Sequence, residues 1–262
     1  MLSHERRDEI ALISVTRPVK VKSLSRRFGV SEMTIRRDLL HLEDAGVLER
    51  VHGGARGTVA RPAFENRVED NQDEKLRIAA ATAAIIGDGE SLFLDVGSTA
   101  YFVAQALMGH KNLFVATNAL NAAGVMAESP TARVLMLGGF VRAGEHSVVG
   151  APALTSIEEL RLDTLVLGVG GIRLDRGLVY YFLEEVEVRR AMMRAARRVI
   201  VVADHSKFGV DRVMTMAPLS AVTTLVTGRT PDQEYLDLLA ESGVELVVTG
   251  DGSVPNQTKG SP

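Results

Sequence analysis

Residues 34–39 read TIRRDL, two adjacent arginines, Arg36 and Arg37, in front of an acid on a segment with helical apolar spacing. Guanidinium groups suit phosphates and the guanine edge, so the pair is either a solvated helix face or an anion reader. The neighbours favour the reader. Seven basic residues (Arg17, Lys20, Lys22, Arg26, Arg27, Arg36 and Arg37) fall within residues 17–37, against only Glu32. A focused excess of this kind is the electrostatic footprint of a nucleic-acid contact.

A second set of chemistry-bearing residues stands at the ends of apolar runs. DVGSTA offers Asp95, then Gly97, Ser98 and Thr99 at the entry to a helix. Free N–H groups and two hydroxyls there suit a phosphate. Thr117 and Asn118 end the next run, and Gly138 and Gly139 end another. In GVGG, Gly168, Gly170 and Gly171 allow close backbone approach. DHSKF brings Asp204, His205, Ser206 and Lys207, whose ammonium could neutralise a phosphate or meet a sugar oxygen. Each has a plain alternative. Glycines after strands are often turns, Ser98 or Thr99 could cap a helix, and Asp204 with His205 could be a surface pair. GVGG also lacks the spacing of a dinucleotide fingerprint. The shared position at strand ends favours a joint reading, and the hydroxyl- and glycine-rich mixture suits a small phosphorylated polyol better than an apolar effector.

These residues need elements to hold them. Residues 5–15 read as a helix with Ile10 and Ile13 inside, and Pro18 prevents easy continuation. Val21, Leu24 and Phe28 line one face of a short helix that Gly29 ends. Ser31 is an N-cap candidate for the next helix, with Thr34 at its third position and Glu32 suited to its N-terminus. Ile35, Leu39 and Leu42 form its buried stripe, Met33, Arg37 and Leu40 stand opposite, Arg36 flanks, and Gly46 stops it. VLERVHGGA then reads as a small hairpin turning at Gly53 and Gly54. Three helices and a hairpin make a winged helix-turn-helix, whose second helix of the pair enters the major groove by its N-terminal end.

Residues 56–75 lose periodicity and gain charge, which reads as a linker over residues 58–75 with an extended piece near 62–64. From residue 76 the apolar runs SLFLDV, LFVAT, RVLMLGG, TLVLGVGG, RVIVVADHS, TTLVTG and VELVVTG alternate with helical segments near 76–86, 99–109, 119–128, 183–197 and 231–242. That alternation predicts a parallel α/β sheet covered on both faces, and open parallel sheets bind ligands outside the C-terminal ends of their strands. The expected organisation is a DNA-binding domain over 1–57, the linker, an α/β effector domain over 76–250 and a disordered polar tail over 251–262.

The whole chain agrees. It has 262 residues with 46% apolar, enough for one large domain or a small one plus a medium one. A net charge of −3 hides a split, because residues 1–60 hold 11 Lys+Arg against 8 Asp+Glu. There is no cysteine, which excludes disulfides and thiolate metal sites. No apolar run of membrane-spanning length and no secretory leader appears, so a cytoplasmic protein without a membrane partner, cofactor or metal is expected.

VSEMTIRRDLLHLEDAGVLERVHGGA closely resembles the DNA-binding signature of the DeoR-type bacterial transcriptional regulators. LFLDVGSTA, VATNAL, LGG, GVGGI and VVADHSKFG are similar to that family's sensor domain, so the resemblance covers roughly residues 4–250. It implies a Rossmann-like sensor fold resembling ribose-5-phosphate isomerase, a phosphorylated sugar effector and repression of a sugar-catabolic operon. Operator DNA and a second copy of the chain are the implied partners. Residue by residue, Asp95, Gly97, Ser98 and Thr99 match the phosphate-side loop. Thr117, Asn118, Gly138, Gly139, Gly171 and Lys207 match other pocket positions, and Glu185 matches an acid early in the helix after the fourth strand. The DNA set comprises Lys20, Lys22, Ser31, Met33, Thr34, Arg36 and Arg37, with Arg50 and His52 on the hairpin reaching flanking backbone.

Two departures stand out. Tyr180 and Tyr181 replace small hydroxyl residues, and could fill part of the pocket or stack on a sugar face. Lys20 and Lys22 stand where members often have a helix cap; they oppose the helix dipole, a cost a nearby DNA phosphate would offset. Two rivals remain. One is an aldose–ketose phosphate isomerase fused to the DNA-binding module, with Asp95, Glu185 and Lys207 as base and cation. The other, a nucleotide-binding redox sensor, is disfavoured by the incomplete glycine fingerprint.

Overall fold

Turn chemistry sets the N-terminal elements. Gly29 takes φ 63° and closes the helix Val21–Phe28. The Ser31 Oγ then accepts from the Thr34 N–H at 3.1 Å, capping the recognition helix Glu32–Asp44. The other helix is uncapped: Lys20 holds the N-cap position with no side-chain bond. Ile35, Leu39 and Leu42 pack with Ile10, Leu24 and Leu48 into one core. Strand β1 (Val19–Lys20) was not anticipated; it joins β2 (Leu48–Val51) and β3 (Gly54–Gly57) in an antiparallel wing of order β1-β3-β2. The chain is described here by a computed structural model over residues 6–7, 9–10, 13–14, 18–44, 48–51, 53–57, 64–142 and 144–250. Residues 6, 7, 9, 10, 13 and 14 are helical, as expected. His52, Gly46 and the tail over 251–262 lie outside the described residues.

Contacts divide the chain into Met1–Pro62 and Ala63–Pro262. Of the expected linker over 58–75, residues 58–63 lie outside the described residues, and residues 64–75 are helical, apart from the turn at 70–71, rather than irregular. Phe64 opens the helix Phe64–Glu69, and the next helix, Gln72–Ala84, begins four residues before the periodicity suggested. The charge in this stretch that reads as solvated is partly buried: Glu74 and Lys75 are 4% and 2% exposed.

All seven apolar runs are strands: β4 (Ser91–Leu94), β5 (Phe114–Thr117), β6 (Arg133–Met136), β9 (Leu162–Gly168), β12 (Ala196–Val202), β14 (Thr224–Thr227) and β15 (Glu245–Val248). They form one parallel sheet of order β15-β14-β12-β9-β4-β5-β6. From β4 the chain winds to one edge through β5 and β6, then returns to β9 and winds to the other. The crevice between the C-terminal ends of β4 and β9 is therefore the topological switch point, where doubly wound sheets bind ligands. The helices Gln72–Ala84, Ser98–Ala106 and Leu120–Ala127 pack on one another in one layer, and Ala151–Glu158 packs with Leu183–Ala195. Two small antiparallel pieces were not anticipated. One is the hairpin of β7 (Phe140–Arg142) and β8 (Ser147–Val149). The other is a sheet of β10 (Gly171–Arg173), β11 (Gly177–Tyr180) and β13 (Met214–Ala217).

Candidate functional site

In the N-terminal unit the recognition helix turns its core stripe inward, with Ile35, Leu39 and Leu42 at 0%, 1% and 7% exposure. Met33 and Leu40 stand out in solvent beside the exposed Arg36 and Arg37. The Arg36 guanidinium is 3.8 Å from Glu32, a loose surface pair of little worth. The acid of TIRRDL does something else. Asp38 is buried and accepts from Arg6 Nε at 2.7 Å and Nη2 at 3.3 Å, tying the first helical segment to the recognition helix. Sequence reasoning missed this bond; the signal was an acid falling on the buried side of the helix. Lys20, Lys22, Ser31 and Arg50 are exposed, Thr34 is half-buried, and Arg50 Nη1 lies 3.7 Å from Glu43.

In the C-terminal unit the switch point is built around a residue that the sequence did not single out. Arg189 is wholly buried in the helix Leu183–Ala195. Its Nε donates to Asp95 Oδ2 at 2.8 Å, Nη1 to Glu185 Oε2 at 3.2 Å and Nη2 to the Tyr180 hydroxyl at 2.7 Å. Its Cζ sits 3.7 Å from the Tyr180 ring centroid. Asp95 Oδ2 also accepts from the Gly168 N–H at 3.1 Å, joining the ends of β4 and β9. Glu185 Oε1 accepts from Ser147 Oγ at 2.9 Å, which brings in the β7–β8 hairpin. Burial works against all these charges. A guanidinium keeps its proton in proteins, and Asp95, Tyr180 and Glu185 raise Arg189 above its ordinary value despite burial. Burial pushes the Asp95 carboxyl up, with Arg189 pulling against it across the 2.8 Å bond.

Next to this floor is the turn that leads from β4 into the following helix. Gly97 has φ 147° and ψ 160°, a conformation open essentially to glycine alone. It starts the helix Ser98–Ala106, whose first intrahelical bond runs from Tyr101 N to Gly97 O at 2.9 Å. The earlier N–H groups of the turn have no partner within the helix. Ser98 and Thr99, each 7% exposed, do not cap it. Thr117 Oγ1 is engaged, donating to Leu94 O at 2.6 Å and accepting from Ala119 N at 3.0 Å. Asn118 Nδ2 donates to Val148 O at 3.2 Å. Two buried acceptors, Asp95 Oδ1 and Asn118 Oδ1, have no partner.

The remaining predicted residues divide. Gly138 is exposed, whereas Gly139 is a close-approach position where a Cβ would stand 2.5 Å from Val149 O. Gly171 is likewise explained by packing, since a Cβ would meet Val210 O at 2.2 Å. Glu185 is fully buried, with Ser147 on one oxygen and Arg189 on the other. Tyr180 is 1% exposed and faces Arg189. Tyr181 stacks under Arg212 at 4.5 Å. Lys207 belongs to a separate group after β12, with its Nζ 3.8 Å from Asp204 Oδ2. β9 alone lies between β12 and β4 in the sheet. A surface cleft of about 450 Å3 opens elsewhere, around Leu174, Arg176, Gly177, Leu219 and Leu238. It contains none of the predicted residues, and its cation Arg176 is spent on Asp211, Thr215 and two backbone carbonyls.

Known proteins resemble both units. Residues 6–58 match the DeoR-like helix-turn-helix domain and residues 70–229 the DeoR C terminal sensor domain. The glycerol-3-phosphate regulon repressor of Escherichia coli (strain K12) is 34% identical over 239 residues, covering 90% of this chain and 95% of that protein. The HTH-type transcriptional repressor CsqR of the same organism is 32% identical over 251 residues, covering 95% and 96%. The repressor GlcR of Bacillus subtilis (strain 168) is 33% identical over 226 residues, covering 84% and 86%. Ribose 5 phosphate isomerase A from Neisseria gonorrhoeae superposes on 54% of this chain and 56% of its own at 19% identity, with a TM-score of 0.39, too loose to argue from. With a match over each unit and relatives above 30% identity along most of its length, the chain belongs to the DeoR family of transcriptional regulators.

Proposed function

We propose that this chain is a repressor whose hold on operator DNA is set by a phosphorylated sugar or polyol at the switch point. The carrying observation is the pairing of opposites there. An open helix N-terminus at Gly97, Ser98 and Thr99 offers donors to an anion. Beside it, Asp95 Oδ1 and Asn118 Oδ1 are buried acceptors without a donor. A phosphate for the first and hydroxyls for the second describe a phosphorylated polyol, because unpaired buried acceptors are costly until a donor arrives. Lys207 follows β12 and Asp95 follows β4, two strands away. At strand spacing that is about 10 Å, a reach suited to a five- or six-carbon phosphate. Three of the relatives bear names that speak of glycerol 3-phosphate or of repression, which agrees with this class.

The DNA contacts follow from exposure. Arg36, Arg37, Met33, Thr34 and Ser31 present the N-terminal half of the recognition helix to the major groove, and Lys20, Lys22 and Arg50 meet phosphates. Two copies bind paired half-sites, in the cytoplasm where the operator is. The isomerase reading is disfavoured at Glu185, whose two oxygens are engaged by Ser147 and Arg189 and which is fully buried.

The test is a thermal-shift and turnover screen of the full chain against glycerol 3-phosphate, ribose 5-phosphate and fructose 6-phosphate. At a hundredfold excess over its dissociation constant, a binder raises stability by about 2.7 kcal/mol. Stabilisation without turnover is the expected result. Sustained conversion of ribose 5-phosphate, or no stabilisation by any of the three, contradicts the reading.

A further inference from the structure

We propose that Arg67, Asn71 and Glu74 fasten residues 64–75 across the strand ends as a strap, and that this strap transmits effector occupancy to DNA binding. The inference rests on the effector reading above and names the residues through which that site acts.

The strap is two helical pieces and the turn between them. Asn71 takes the left-handed conformation, φ 51°, between Phe64–Glu69 and Gln72–Ala84. The buried Lys75 ammonium donates to the Arg67 carbonyl at 2.5 Å and to that of Asp70, satisfying the end of the first piece. Three polar fastenings then hold the strap down. Arg67 Nη2 donates to Glu145 Oε2 at 2.8 Å, with side chains only 11% and 9% exposed. Asn71 Nδ2 donates to Asp204 Oδ1 at 3.2 Å. Glu74 Oε1 accepts from the His205 N–H at 2.8 Å, and Glu74 Oε2 lies 2.5 Å from His205 Nδ1. The Phe64 ring adds an edge contact to Tyr101, 5.7 Å between centroids.

Every fastening lands beside a residue of the proposed effector site. Glu145 is two residues from Ser147, which holds Glu185. Asp204 and His205 belong to the same single turn as Lys207. Tyr101 is two residues from Thr99, in the same helix. Charge-assisted bonds at such distances are geometrically selective, and the Arg67–Glu145 pair is largely out of water, so the strap has a defined docked arrangement. A ligand drawing Lys207 and Ser98 together must strain these bonds or improve them. The strap is also the first described segment of its unit after the DNA-binding unit in sequence. Coupling requires an element whose equilibrium both sites bias, and the strap meets that condition from the sensor side.

The experiment compares full-length wild type with Glu74→Gln, Arg67→Met and Asn71→Gly. The last keeps a residue suited to positive φ and removes only the amide contact. Arg67→Lys is the conservative rescue. Three quantities are measured: affinity for a duplex selected against the wild type, calorimetric affinity for glycerol 3-phosphate, ribose 5-phosphate and fructose 6-phosphate, and the change in duplex affinity when the bound compound saturates. Effector coupling is typically about 5- to 150-fold. The strap variants should keep compound affinity within about threefold of wild type while that coupling factor falls toward one, and Arg67→Lys should restore part of it. Variants that retain the full factor overturn the proposal, as do variants that lose compound affinity instead. If no compound binds wild type, the phosphorylated-effector reading fails separately. Duplex affinity without small molecule then decides, a several-fold shift in the variants supporting the strap and identity with wild type refuting it.

Discussion

Arg36 and Arg37 stand in solvent on the recognition helix, the former 3.8 Å from its nearest acid. Arg189, in the other unit, is fully buried with four groups around it, Asp95, Glu185, Tyr180 and the Val96 carbonyl at 3.4 Å. The same side chain is thus used in opposite ways. A polyanion brings its own dense charge and releases counterions on contact, so its reader keeps its cations hydrated and uncommitted. A small effector brings one or two charges and must be held in a fixed pose, so its site is desolvated and cross-braced beforehand. On this reading the first should tolerate substitution without unfolding, and the second should not.

The sharpest way to break this comparison is Arg189→Met. It leaves Asp95 and Glu185 buried without their cation, and removing one partner of a buried pair costs about 3–5 kcal/mol. Denaturant unfolding of the full chain should show that loss in the C-terminal unit. The deficit has a sign in pH. Without Arg189 the Asp95 carboxyl, already raised by burial, loses the charge that pulls it down, so the folded variant binds more protons than the unfolded one. Its stability therefore falls as pH rises and partly recovers on acidification to about pH 5. A pH-independent deficit would mean that the carboxylates are not what suffers.

Arg37→Ala and Arg36→Ala test the other half. Each base-reading arginine should cost about 1–3 kcal/mol in operator affinity, with no change in melting temperature. Wild-type binding by both variants at physiological salt would remove the proposed docking. A smaller effect is expected at Ser31, which caps the recognition helix. Ser31→Ala should lower the stability of the N-terminal unit by about 0.5–2 kcal/mol and Ser31→Gly by less, read from its unfolding transition. Equal losses for both would assign the effect to something other than the cap.

How much of this was legible in the sequence depends on what surrounds each element. The inner parallel strands were readable because strands buried on both faces are written as continuous apolar runs, LFL or VLGV, that little else imitates, and the half-exposed edge strands β6 and β15 still carry short apolar runs. Gly29 and Ser31 were readable because turn and cap chemistry is local. Residues 64–75 were not, because NRVEDNQDEK has the composition of a solvated linker while Arg67, Glu74 and Lys75 find partners more than four residues away or across the fold. Arg189 was hidden the same way: LEEVEVRR reads as a charged helix face, and only the sheet's return from β6 to β9 brings Asp95 to it. β7, β8 and β10, at three residues each, are too short to show a period.

The central claim is that the strand ends of the C-terminal unit sense an effector while the N-terminal unit grips DNA. Its most direct test is titration of preformed protein–operator complexes with whichever of glycerol 3-phosphate, ribose 5-phosphate or fructose 6-phosphate stabilises the wild type. Lys207→Ala, which removes the ammonium near Asp204, and Thr99→Val, which removes an uncapped helix hydroxyl, are titrated alongside. Both should bind operator like wild type before the compound is added, and both should need about 10- to 150-fold more of it to respond, the loss of one charge-assisted contact. Response of both variants at wild-type concentrations would contradict the account.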